Sequence, residues 1–102
     1  MGISWSWSLT FRILINKKAL ESIWSLSKKS RRIVMEKLKT LREDPYPGSD
    51  KERLHVHGRE DTYKLHISRT VTVFYRIHEQ EMEVRVLAVI SIEQAHKRYG
   101  WF

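Results

Sequence analysis

Residues 62–78, TYKLHISRTVTVFYRIH, switch between apolar and polar side chains at almost every step. A period of two belongs to an extended chain, whose successive side chains leave on opposite sides. The alternation breaks at Ser68, Arg69 and Thr70, so the segment reads as two strands joined by a tight loop. Setting Ile67 against Val71 places Leu65 opposite Val73 and Tyr63 opposite Tyr75, apolar against apolar throughout. A slip of one residue would carry every one of these side chains to the wrong face, which is why the register is strongly specified. On the other face the same register sets His66 beside Thr72 and Lys64 beside Phe74, with Arg76 and His78 further along. A loop of this length favours glycine at a left-handed position, and this one has none.

The rest of the chain is organised around that hairpin. Odd-numbered residues from Ile3 to Ile15 are apolar, with Ser4, Ser6, Ser8, Thr10 and Arg12 between them, so a long first strand is expected, residues 1–8 extending it or forming an edge for a partner. Asn16 is placed to cap a helix carrying Leu20, Ile23, Trp24 and Ser27 at helical spacing. A second helix follows, with Val34, Leu38 and Leu41 as its apolar stripe. Lys28, Arg32, Met35, Lys39 and Arg42 fall within roughly 40° of one line along it. Asp44-Pro45-Tyr46-Pro47-Gly48 stops the helix, because proline removes a donor and restricts the residue before it. Residues 53–57 read as a short strand ended by Gly58. Met82 to Ile92 read as a last strand, apolar on both faces around Leu87 and Val89 and therefore covered twice. Gln94 to Tyr99 suit a final helical turn. The expected fold is α+β: an N-terminal strand, a two-helix hairpin, a mainly antiparallel four-stranded meander and a short C-terminal helix.

With 102 residues, 41% of them apolar, the chain supports one domain and one core, with no room for a separate cofactor domain. The absence of cysteine excludes disulfides, thiol nucleophiles and thiolate metal sites and suits a reducing cytoplasm. The longest apolar run, Val86 to Ile90, is too short to span a bilayer, and no leader pattern precedes the first strand, so no membrane is expected. A formal charge of +7 favours polyanionic partners wherever the cations cluster.

The order of elements, together with LHVHG (54–58), YKLHI (63–67), VTVFYRI (71–77) and VRVLAVISIEQAHKRY (84–99), resembles the RelE/ParE toxin superfamily over roughly Leu9 to Tyr99. That resemblance implies a RelE-like toxin of a toxin–antitoxin pair, bound to a cognate antitoxin in a hetero-oligomer. In RelE-like members it implies an mRNA interferase, an endoribonuclease that cuts mRNA on the ribosome and inhibits translation; in ParE-like members, an inhibitor of DNA gyrase. The implied cleavage needs no cofactor or metal, since the RNA 2′-hydroxyl attacks the adjacent phosphate. Such a reaction needs a base, an acid, and cations where charge develops.

Carried over by position, the resemblance makes Lys64 the first basic residue of the third strand, His66 the second and Tyr99 the C-terminal tyrosine, with His96 one helical turn before it. The arginine usual on the fourth strand is Thr72, and the one expected after the last strand falls near Glu93. Arg69 and Arg76 are the cations left to replace them. Catalytic candidates are thus Lys64, His66, Arg69, Arg76, His96 and Tyr99, and RNA-binding candidates are Lys28, Arg32, Lys39, Arg42, His55 and His57. His55, His57 and His66 could instead supply three nitrogens to zinc, but no second shell is evident, and the resemblance accounts for them without a metal. Thr72 and Glu93 favour a rival class, a non-catalytic binding protein of the same fold acting on gyrase or only pairing with an antitoxin.

Overall fold

The computed structural model describes residues 10–54 and 61–92. In chain order these form β1 (Arg12–Ile15), α1 (Lys17–Trp24), α2 (Lys28–Thr40), β2 (Lys51–Leu54), β3 (Thr62–Ile67), β4 (Val71–His78) and β5 (Glu83–Ser91). The strands make one sheet in the order β1-β5-β4-β3-β2. The last four run as an antiparallel meander, and β1 joins the far edge parallel to β5. This is the α+β arrangement expected; the predicted helical turn at Gln94–Tyr99 and the extension at 1–8 lie outside the described residues.

Both helices start on the caps the sequence offers. The Asn16 side chain accepts from the Ala19 amide at 2.7 Å and donates to the Leu87 carbonyl at 2.8 Å, so one residue begins α1 and ties it to β5. Ser27 caps α2, accepting from the Ser30 amide at 3.2 Å. Beyond α2, the Tyr75 hydroxyl donates to the Pro45 carbonyl at 2.7 Å, pinning the proline loop to the sheet. Burial, and the neighbouring Tyr63, Asp50 and Asp44, push the Tyr75 phenol well above the ordinary tyrosine range, so it stays a donor.

The core lies between the helices and one face of the sheet. Val34, Leu38 and Leu41 from α2 and Ala19 and Ile23 from α1 pack with Leu65, Ile67, Val71, Val73, Tyr75, Val84 and Val86. The β3–β4 register is the expected one, Ile67 to Val71 through Tyr63 to Tyr75. The turn without glycine closes because Ser68 itself takes φ 57, with its hydroxyl bonded to that of Thr70 at 3.2 Å.

Four expectations are corrected. Thr10 and Phe11 do not belong to the first strand, which the described residues start at Arg12, because the Phe11 amide donates to the Arg42 carbonyl at 2.7 Å and its ring turns edge-on to Tyr46. Leu20 and Trp24 are not core residues; Trp24 is 61% exposed, with the Arg31 guanidinium 4.6 Å from its ring centroid, and Ala19 takes the inner position. β2 begins at Lys51, two residues before the expected start, and includes Arg53 and Leu54, while His55 to His57 lie outside the described residues. Lastly, β5 is interior to the sheet, but the described residues cover it on one face only. Phe74 pairs with Ala88 and Tyr75 with Val86, leaving Leu87 as a bulge that resets the alternation. Val86 and Val89 therefore both point to the core, while Ile90 is 50% exposed on the other face.

Candidate functional site

The sheet face that no described element covers gathers the side chains that β3, β4 and β5 turn away from the helices. Because the alternation holds through β3 and β4, burial of Leu65, Val73 and Tyr75 obliges Lys64, His66, Thr72, Phe74 and Arg76 to share the opposite face. Lys64 stands opposite Phe74, and His66 opposite Thr72 at the turn end of the hairpin. On the other flank of β4, Arg76 stands opposite Arg85 and His78 opposite Glu83. Lys64 and Arg76 are diagonal neighbours, about 7–8 Å apart along the pair.

The cations differ in what already engages them. Lys64 reaches Glu52 on the edge strand at 3.3 Å. Arg85 grips Glu83 through two nitrogens at 2.9 and 3.1 Å, and Arg12 contacts the same carboxylate from β1. The Arg85 hydrogen bond, with the Arg85 and Arg12 charges, outweighs burial and holds the Glu83 carboxyl below the ordinary range. Arg76 makes no ion pair with any described residue, and its Nε is buried without a hydrogen-bond partner. At the turn end, the His66 amide donates to the Asp50 carbonyl at 2.9 Å, and the Asp50 side chain meets Lys37 at 3.3 Å and Lys51 at 3.8 Å. Burial raises the Asp50 pKa, but these two lysines overcome it and leave it lowered.

The structure brings some predicted site residues together and separates others. Lys64, His66 and Arg76 share one face. Arg69 sits exposed in the turn, between the strand ends that carry His66 and Thr72. Arg76 lies four residues from Thr72, about 13 Å along the strand, so it does not stand beside His66. Lys28, Arg32, Lys39 and Arg42 belong to the helix layer: α2 buries Val34 and Leu38 against the covered face, which puts this basic row across the sheet from Lys64 and His66. The catalytic and RNA-binding candidates that are described therefore occupy two separate surfaces. His55, His57, His96 and Tyr99, and with them the three-histidine arrangement, lie outside the described residues.

Sequence reasoning missed Arg85, together with Glu83 and Arg12. The position of Arg85 opposite Arg76 follows from the loop 79–82, which includes Met82 and sets His78 against Glu83, so β5 begins one residue later than the expected strand. The available signal was the charge pattern itself, an arginine flanked by Val84 and Val86 in a strand.

No family model and no curated protein sequence matches the chain. Solved structures do. An archaeal RelE–RelB complex from Pyrococcus horikoshii OT3 aligns with TM-score 0.70 at 24% identity, over 80% of this chain and 94% of that one. The toxin–antitoxin complex RelBE2 from Mycobacterium tuberculosis aligns with TM-score 0.69 at 18% identity, over 80% and 98%. The isolated E. coli RelE toxin aligns with TM-score 0.65 at 21% identity, over 86% and 97%. The chain therefore has the RelE-like toxin fold. Among the described residues, no helix is long and apolar enough to cross a membrane.

Proposed function

We propose that this chain is the toxin of a toxin–antitoxin pair and acts in the cytoplasm as a ribosome-dependent mRNA endoribonuclease. The observation that carries this reading is the β3–β4 register, with Lys64 and His66 side by side on the uncovered sheet face. In the reaction the 2′-oxygen forms a bond to the adjacent phosphorus while the bond to the 5′-oxygen breaks. One group takes the 2′-hydroxyl proton and another supplies a proton to the leaving oxygen. An imidazole can carry out either transfer, which makes His66 the candidate, and Lys64 stabilises the charge that builds on the phosphoryl oxygens. Arg69 and Arg76 are the cations available in place of the one that Thr72 lacks. His96 and Tyr99 complete the set by resemblance. The partner is a cognate antitoxin, supported by the toxin–antitoxin complexes among the structural neighbours, and an acidic, amphipathic segment would complement this basic face.

A second reading, a binding protein acting on gyrase or only pairing with an antitoxin, is favoured by one observation. His66 faces Thr72, and Arg76 is well down the strand. The two readings part in cell-free translation with mRNA ends mapped by primer extension. Wild type is expected to cut within codons, and a Lys64→Ala, His66→Ala double variant is not. Intact mRNA and normal translation with wild type would overturn the nuclease reading and leave the binding one.

A further inference from the structure

Phe74 is an aromatic residue on the sheet face that nothing covers among the described residues. It is half-buried, and the described ring pairs, Phe11 with Tyr46 and Tyr63 with Tyr75, do not include it. Its cross-strand neighbours are Lys64 on one side and Ala88 on the other, a cation and one of the smallest side chains available. One position along, Arg76 and Arg85 stand directly opposite each other, a like-charge pairing that costs stability. The nearby carboxylate relieves it on the Arg85 side only. Glu83 is shared by Arg85 and Arg12, while Arg76 has no ion pair among the described residues and keeps a buried, unbonded Nε. The site thus holds a guanidinium with no ion pair among the described residues beside a partly exposed ring, and an anion that carries its own flat apolar face would satisfy both.

We propose that Phe74 is a stacking platform for one base of a single-stranded RNA, and that Arg76 and Arg85 together hold the phosphate next to that base. This rests on the RNA reading above and names how the strand lies: across β4, with the stacked base between the phosphate clamp and the Lys64–His66 pair. A single strand is required, because a duplex hides the π-faces of its bases while exposing its phosphates. Paired arginines suit a phosphodiester, whose oxygens accept several N–H bonds at once. An acidic peptide would satisfy the arginines but has no inherent use for the ring.

The test is fluorescence anisotropy with the full chain and a 5′-labelled single-stranded hexaadenylate, titrated at several salt concentrations. Phe74→Leu is expected to weaken binding about 5- to 150-fold, the range for losing one stacked base, and Phe74→Trp to retain it. Arg76→Gln is expected to weaken binding and to reduce the salt slope by about 0.7, one single-strand phosphate contact. Circular dichroism melts establish that each variant folds, and Phe74→Trp with Arg76→Gln decides the matter should Phe74→Leu not fold. Wild type that binds a double-stranded RNA of equal length as tightly would overturn the platform. So would wild-type affinity and salt slope in both Phe74→Leu and Arg76→Gln, including the case where those variants lose an acidic peptide instead. Cleavage on ribosomes with Phe74-independent binding would sink this inference alone. Phe74-dependent binding without cleavage would sink only the nuclease reading.

Discussion

The two faces of this sheet are made from the same strands, residue by residue in alternation, yet they answer to different physics. Leu65, Val73 and Tyr75 point to the helices and are fully buried, while Lys64, Thr72, Phe74 and Arg76 point away from them and keep contact with water. On the covered face a side chain is held by volume and apolar area, and its neighbours fix its rotamer. On the open face it is held by backbone position and by contacts between charged groups, so its chemistry can change without disturbing the core. The comparison teaches where tolerance lies. Lys64 and Leu65 are chain neighbours, but one belongs to a candidate reaction and the other to stability.

Neighbouring substitutions test that division most severely. Leu65→Ala removes a fully buried side chain from the centre of the core and is expected to cost about 2–5 kcal/mol. Lys64→Ala, one residue away, is expected to change stability by about 0.5 kcal/mol or less, since its partner Glu52 is an exposed edge residue. Urea unfolding of the two variants reads both values. Equal costs would mean that the open face is packed against something and that the division is wrong.

Tyr75→Phe comes next in size and asks whether the covered face is purely apolar in its energetics. The variant keeps the ring stacked on Tyr63 but leaves the buried Pro45 carbonyl without its donor. A cost of about 1–3 kcal/mol is expected in thermal or urea unfolding, the penalty for stranding a buried acceptor. A neutral result would show that the proline loop is not fastened to the sheet through this bond.

Legibility followed the same division. The hairpin register could be read from residues 62–78 because only one alignment keeps apolar against apolar, and the shared face of Lys64, His66 and Arg76 came with it. The α2 stripe was equally plain, since its three apolar positions fall on one side of the helix. What could not be read depended on contacts between elements. Trp24 looks like a core residue by spacing, and only the seating of α1 on Ala19 and Ile23 turns it outward. The bulge at Leu87 is hidden in an apolar run, and the pairing of Arg85 with Arg76 depends on the loop taking in Met82, which the sequence pattern assigns to the strand. The separation of the α2 basic row from the sheet site is likewise a matter of layers, which a one-dimensional pattern does not contain.

Glu83 breaks the comparison and gives the smallest, most specific effect. It lies on the open face yet is buried, held by Arg85 from its own strand and Arg12 from β1. Its parallel partner in the register is Arg12, so this carboxylate helps fasten the short parallel strand to the meander. The Arg85 hydrogen bond and the two arginine charges depress the folded pKa. A depressed carboxylate contributes stability that is fully present above its unfolded pKa of about 4.3 and is lost as pH falls through the lower folded value. Wild type should therefore exceed Glu83→Gln in stability by a constant margin from pH 7 down to about 5, and the margin should shrink toward pH 3. Urea unfolding of both proteins at pH 7 and pH 3 measures it. A margin that stays unchanged across that range would mean that the charge of Glu83 does not fasten β1. The open face would then contribute to stability through packing alone, and the contrast between the two faces would be weaker than the register implies.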